Sequence, residues 1–189
     1  MTILEAKEFL HSKMESVNLR RHCYAVSVVM GALAVRLGHK EDREKWEVAG
    51  MLHDADYEVT KTDTAKHTHL VLEWLKDHTA DAEIHGAILA HGWNYVPGNP
   101  QPKNDMEWAL YCCDELTGLI VATALVKPDK KLSLVSVESV MNKWSQKSFA
   151  AGVDRKQIEL CDEKLHIPLR DFIEIALTAM QQIAPDLGL

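Results

Sequence analysis

The chain has 189 residues, 47% of them hydrophobic and 26% charged, which is enough apolar material for one substantial core and so for one domain. Its formal net charge of −7 argues against binding to a nucleic-acid polymer, and its first residues hold no continuous apolar run of the kind a signal peptide needs. Four cysteines without a Cys-x-x-Cys pair argue against a zinc ribbon or thioredoxin-like site and make a reducing cytoplasm the simple expectation. The hydrophobic spacing then predicts helices nearly everywhere and no strand. Ile3 to Met14 is a short amphipathic helix. Asn18 is the expected cap of a long helix reaching about Leu37, with Gly38 as its stop. Glu41 to His53 reads as a third helix, with Trp46, Ala49, Gly50 and Leu52 inward. Asp56 to Thr64 reads as a connection, and Ala65 to Lys76 and Ala80 to His91 as helices. Three prolines and a glycine exclude a helix between Trp93 and Pro102. Asp105 to Val126 is apolar on most faces and is expected to be central. Its most apolar window, Leu116 to Val126, is too short to span a bilayer, so no membrane partner is expected. Ser136 to Gln146 and Asp154 to Leu165 are two shorter helices. Pro168 opens the last one, whose inward stripe is Leu169, Phe172, Ile173, Ala176, Met180 and Ile183.

The dipeptide His53-Asp54 carries the chemistry. A carboxylate beside an imidazole in an apolar stretch is costly unless a strong partner is present, and a metal ion is the usual one. His22 lies far upstream and Asp114 far downstream, each on a strongly apolar predicted helix. If the four meet, they form a mixed nitrogen and oxygen site held on rigid helices. Neighbouring helical residues point about 100° apart, so His53 and Asp54 must grip one ion beside the helix or two ions on either side of Asp54.

In this order and setting, His22, His53-Asp54 and Asp114 resemble the HD-domain superfamily of metal-dependent phosphohydrolases. Further stretches look like one uncharacterised bacterial branch of predicted HD hydrolases: Asn18 to His22, Leu52 to Glu58, Asp114 to Ala122 and Lys147 to Asp154. The resemblance implies an all-α, single-domain bundle over residues 1–189. The metal-site core would occupy about 18–126, and the C-terminal helices 127–189 would complete the bundle. It also implies that the four residues are ligands of a divalent metal. Two-metal members add two histidines between the pair and the last aspartate. Here His91 resembles the later one, and His67 is preferred for the earlier one, with His69 as the alternative. His85, six residues before His91, faces about 240° away and cannot share its site. Imidazole with carboxylate suits manganese, iron, nickel, cobalt or zinc, as one or two ions, better than magnesium or calcium.

The expected activity is hydrolysis of a small phosphate ester, a nucleotide for preference, by a metal-activated water. Asp54 would bridge two ions, and Asp56 could act as a general base. Arg20 or Arg21, flanking His22, could reach the phosphate. The basic stretch Lys127 to Lys156, which includes Lys147, could form a phosphate-facing rim. Trp93 and Tyr95 could wall the pocket and stack on a base. The alternatives are a di-iron oxygenase on the same ligands and a non-catalytic nucleotide-binding module. A homo-oligomer is compatible with the sequence.

Overall fold

The structure, a computed structural model, describes residues 1–79 and 81–189. The predicted start of a helix at Ala80 therefore lies outside the described residues. The described residues form helices and turns without a strand. Helix α1 (Ile3–Lys13) begins with a reciprocal capping box between Thr2 and Glu5. Helix α2 (Val17–Arg36) is capped by Ser16, whose side chain accepts from Leu19 N–H, and not by the expected Asn18. It stops before Gly38, whose φ of 90° only glycine adopts freely.

A single 3₁₀ turn leads into α3 (Arg43–Leu52). This helix ends one residue short of the prediction, so His53 and Asp54 lie in the turn beyond it. The predicted connection holds a one-turn helix, α4 (Tyr57–Thr60). The next predicted helix is shorter than expected, since α5 covers only His69–Leu75. Helix α6 (Ala82–His91) is capped by Asp81. A loop then leads to α7 (Asp105–Leu125), whose cap is Asn104. Helices α8 (Val137–Trp144), α9 (Arg155–Leu165) and α10 (Leu169–Gln182) follow, the first two capped by Ser136 and Asp154. A final turn of helix, α11 (Ala184–Leu187), had no signal in the hydrophobic pattern.

The buried apolar side chains form one cluster that runs from Ala6 on α1 to Leu187 on α11. Within it α2 packs most extensively on α3, α7 on α9, and α10 closes over α2. Helix α7 is long and apolar enough by length and composition to cross a membrane, longer than its Leu116 to Val126 stretch suggests. However, 67% of its most apolar window is buried in this fold, as suits a core helix. The α2–α3 contact depends on Gly50. A Cβ there would stand 2.8 Å from Ser27 Cα, so only glycine lets the two backbones approach this closely. That approach at the middle of α2 brings His22, in the second turn of α2, alongside the end of α3.

Candidate metal centre

Helix α3 ends at Leu52, and His53 and Asp54 follow at once in the turn. In the turn, His53 points back into the core and is fully buried, while Asp54 projects between two groups of histidines. On one side, His22 Nε2 lies 2.9 Å and His53 Nε2 3.4 Å from Asp114 Oδ1, and both nitrogens lie 3.7 Å from Asp54 Oδ2. On the other side, His67 Nε2 and His91 Nε2 lie 3.3 and 3.5 Å from Asp54 Oδ1. The ring nitrogens themselves are close, 3.3 Å between His22 and His53 and 3.2 Å between His67 and His91.

The outer ring nitrogens explain why the inner ones converge. His53 Nδ1 donates to the Gly50 carbonyl at 2.8 Å, and His91 Nδ1 to the Ile88 carbonyl at 2.6 Å. His67 Nδ1 donates to Asp56 Oδ1 at 2.8 Å. The Thr117 hydroxyl is committed as a donor to the Asp114 carbonyl, so at 3.3 Å its oxygen accepts from His22 Nδ1. Each acceptor fixes a hydrogen on Nδ1 and leaves Nε2 to offer its lone pair inward. Four inward Nε2 atoms and two carboxylates would repel one another without a cation among them. This outward tethering of Nδ1 is also how metal-ligating histidines are oriented. Ligands about 2.0–2.2 Å from one ion stand roughly 3 Å apart, which is the spacing of these donors. The groups His22–His53–Asp54, His53–His91–Asp114 and Asp54–His67–His91 each bring donor atoms within 4.8 Å of one another and could hold a metal ion. Asp54, with one oxygen on each side, is placed to bridge two ions.

The titration of these groups reflects the same crowding. Burial opposes a charge on His22, yet the hydrogen bond to Asp114 and the charges of Asp114 and Asp54 outweigh it and raise its pKa to about 9. Burial likewise opposes ionisation of Asp54 and Asp114, but the surrounding histidines hold both well below the usual carboxylate range. Without a metal, a proton on His22 Nε2 takes the cation's place. Glu115 has no such partner, and burial beside Asp114 pushes it up to about 7.

Of the two candidates His67 and His69, only His67 enters the cluster; His69 is exposed at the start of α5. Thr68 between them is buried with φ of 69°, a left-handed conformation that costs a non-glycine residue about 1–2 kcal/mol. Asn99 holds it there, donating to Thr68 Oγ1 at 2.9 Å and to the Leu89 carbonyl at 2.7 Å, and so pins the Trp93 to Pro102 loop beside the site.

Several expected roles are corrected by this geometry. Asp56 is fully buried, and its two oxygens accept from His67 Nδ1 and from Val71 N–H, at 2.8 and 2.9 Å. It orients His67 and has no oxygen left to act as a base on substrate. Arg20 turns away to the carbonyls of Met14 and His11 at the end of α1. Arg21 lies against Gly188 at the C-terminal turn. Lys147 is exposed outside the cavity, and Arg155 spends its guanidinium on the carbonyls of Lys143, Gln146, Phe149 and Val153. The basic stretch therefore forms no phosphate-facing rim.

The cavity over the donors measures about 580 Å³ and is walled by Tyr57, Trp93, Tyr95, Tyr111, Glu115 and Asp154, among others, with no lysine or arginine among its described lining residues. Trp93 and Tyr95 stand where the sequence suggested. Tyr57, Tyr111, Glu115, Thr117 and Asp154 were not foreseen. Tyr57, Glu115, Thr117 and Asp154 lie in the stretches that carry the family resemblance, which was the signal that could have found them; Tyr111 lies in none of them.

No curated protein matches the chain. A family model of the HD domain, a family generally of metal-dependent hydrolases, matches residues 19–112, a stretch that carries His22, His53, Asp54, His67 and His91 and stops just before Asp114. With an all-helical fold around that stretch, the chain belongs to the HD-domain superfamily.

Proposed function

We propose that the protein is a metal-dependent phosphohydrolase acting on a small phosphate ester, with His22, His53, Asp54 and Asp114 holding one divalent transition metal ion and Asp54, His67 and His91 a second. One observation carries this reading: all four histidines tether Nδ1 outward and turn Nε2 toward the same two carboxylates. Bound manganese, iron, nickel, cobalt or zinc would supply an activated water and polarise a phosphoryl oxygen. The protein's own contribution is to fix the donors before the ion arrives and to shape the space above them. Tyr57 and Tyr95 stand on the His67 side, with ring centroids 5.5 and 6.0 Å from His67, and Trp93 lines the same cavity beside Tyr111. A nucleotide base could stack there. The absence of any lysine or arginine in the described lining disfavours a di- or triphosphate chain, so a monoester fits better. Four free, buried cysteines are compatible with the cytoplasm.

The test is elemental analysis of the purified protein together with a phosphatase panel in each metal. His53→Ala and Asp54→Ala are each expected to abolish metal retention and turnover. Full metal content in either variant would refute the ligand assignment. A second reading, an iron-dependent oxygenase on the same donors, draws support from the same shortage of cationic side chains. Oxygen consumption by the iron-loaded protein, without phosphate release from any ester, would select it. A non-catalytic nucleotide module is disfavoured, because the donor set is complete.

A further inference from the structure

The cavity walls beyond the metal donors bear on which ester is cleaved. Glu115 follows the donor Asp114 on α7, and its Oε2 accepts the Asp154 N–H at 3.0 Å. Asp154 in turn caps α9, its Oδ1 accepting from Lys156 and Gln157 N–H. The two carboxyl groups are thus locked side by side at the cavity wall. The second oxygen of each, Glu115 Oε1 and Asp154 Oδ2, has no hydrogen-bond partner among the described residues. The aromatic part of the wall is nearly continuous: Trp93 stands 5.4 Å from Tyr111 between ring centroids, and Tyr57 and Tyr95 both flank His67. The basic residues that could have balanced the two carboxyl groups are committed elsewhere or lie outside the cavity.

A wall of carboxyl groups and aromatic faces without a fixed cation is complementary to an organic cation. Carboxylate charge and the negative faces of the rings attract an ammonium group together, and quaternary ammonium ligands are bound in this way. An additional phosphate or carboxylate on the substrate would instead stand beside like charge. Resting on the hydrolase reading, we propose that the substrate is the phosphate monoester of a small amino alcohol, its phosphoryl group over the metal donors and its ammonium group, primary or quaternary, among Glu115, Asp154 and the aromatic wall. The cavity, about 580 Å³, is large enough to admit such a molecule. In the reaction the bond between phosphorus and the alcohol oxygen breaks and one between phosphorus and a water oxygen forms. The water's proton ends on the leaving alcohol, so the products are the free amino alcohol and inorganic phosphate.

The experiment uses isosteric pairs that differ only in charge. Binding of choline and of 3,3-dimethylbutan-1-ol to the full chain is measured by titration calorimetry. Turnover of phosphocholine, 3,3-dimethylbutyl phosphate and ATP is measured in each metal. Choline is expected to bind about tenfold tighter than the neutral alcohol, and phosphocholine to show a kcat/KM about tenfold above its neutral isostere, the scale of one desolvated cation–π contact. Glu115→Gln and Asp154→Asn should each shrink both ratios. Asparagine still caps a helix and glutamine still accepts a hydrogen bond, so both variants should fold, as circular dichroism would verify. Ratios near one, a preference for ATP, or ratios that survive in both variants would overturn the proposal. Hydrolysis of both monoesters without discrimination would reject the ammonium site and keep the hydrolase. Selective choline binding with no ester hydrolysed in any metal would reject the hydrolase and keep the ammonium site.

Discussion

At the scale of single residues, the site is governed by what each histidine does with its far nitrogen. The Gly50 and Ile88 carbonyls, the Thr117 hydroxyl and the Asp56 carboxylate each take one Nδ1 hydrogen and so aim one Nε2. Asp56 is the most exposed to test, because it serves His67 alone and is also tied to Val71 N–H. Asp56→Asn keeps the size but leaves one accepting oxygen for two N–H groups, so one of the two hydrogen bonds is lost. Metal titration should show affinity on the His67–His91 side reduced about 10–100-fold, the usual effect of losing such an orienting partner. An unchanged titration would show that His67 is held by packing alone. The donor residues were legible in the sequence because histidine and aspartate in apolar surroundings are conspicuous. The role of Asp56 was not, because its proximity to the pair in sequence suggested a base, while its direction depends on a contact with residues 67 and 71.

At the scale of elements, the decisive feature is where α3 stops. The turn after Leu52 carries His53 and Asp54 in succession, so that His53 packs inward while Asp54 reaches between the two groups of histidines. The close approach of α2 at Gly50 then sets the distance between His22 and His53. Gly50→Ala would force a methyl group to within 2.8 Å of Ser27 Cα. We expect a loss of about 1–3 kcal/mol, the cost of overpacking, and so a fall in Tm of several degrees. Because Gly50 also supplies the carbonyl that orients His53, metal content should fall with it. A variant with wild-type Tm and full metal content would exclude this role for the helix contact. Helix caps at Ser136 and Asp154 and the break between Trp93 and Pro102 followed from local chemistry. The start of α5 did not, since the positive φ of Thr68 is imposed by Asn99 from another loop.

At the scale of the whole molecule, the proposed metal would compete with a proton for the same centre. In the metal-free protein, His22 is raised from 6.5 to about 9, so the stability it contributes is complete below pH 6.5 and is lost as pH rises to about 9. Asp54 and Asp114 are lowered, so their contribution is present above their ordinary value of 3.8 and is lost as pH falls below it. The chelator-treated protein should therefore be most stable at mildly acid pH, and its Tm should decline between pH 6.5 and 9. Metal at about 100 times its Kd adds about 2.7 kcal/mol, or about 5–10 °C in Tm. At a fixed metal concentration that gain should grow across the same interval, since the apparent Kd falls when a proton no longer has to be displaced. Thermal melts with and without chelator at several pH values check both trends, and a metal-free Tm that rises from pH 6.5 to 9 would contradict them.

The amino-acid sequence by itself determined the class of fold and the residue types that meet at its centre, because helical periodicity and a His-Asp pair in an apolar stretch are properties of neighbours along the chain. Only the tertiary structure decided which way each group points and what stands beside it. It turned Arg20, Arg21 and Lys147 away from the cavity and drew in Tyr111, Glu115 and Asp154. The reason is physical: a side chain's charge and shape are written in its residue, but its direction is set by hydrogen-bond partners and packing contacts tens of residues away.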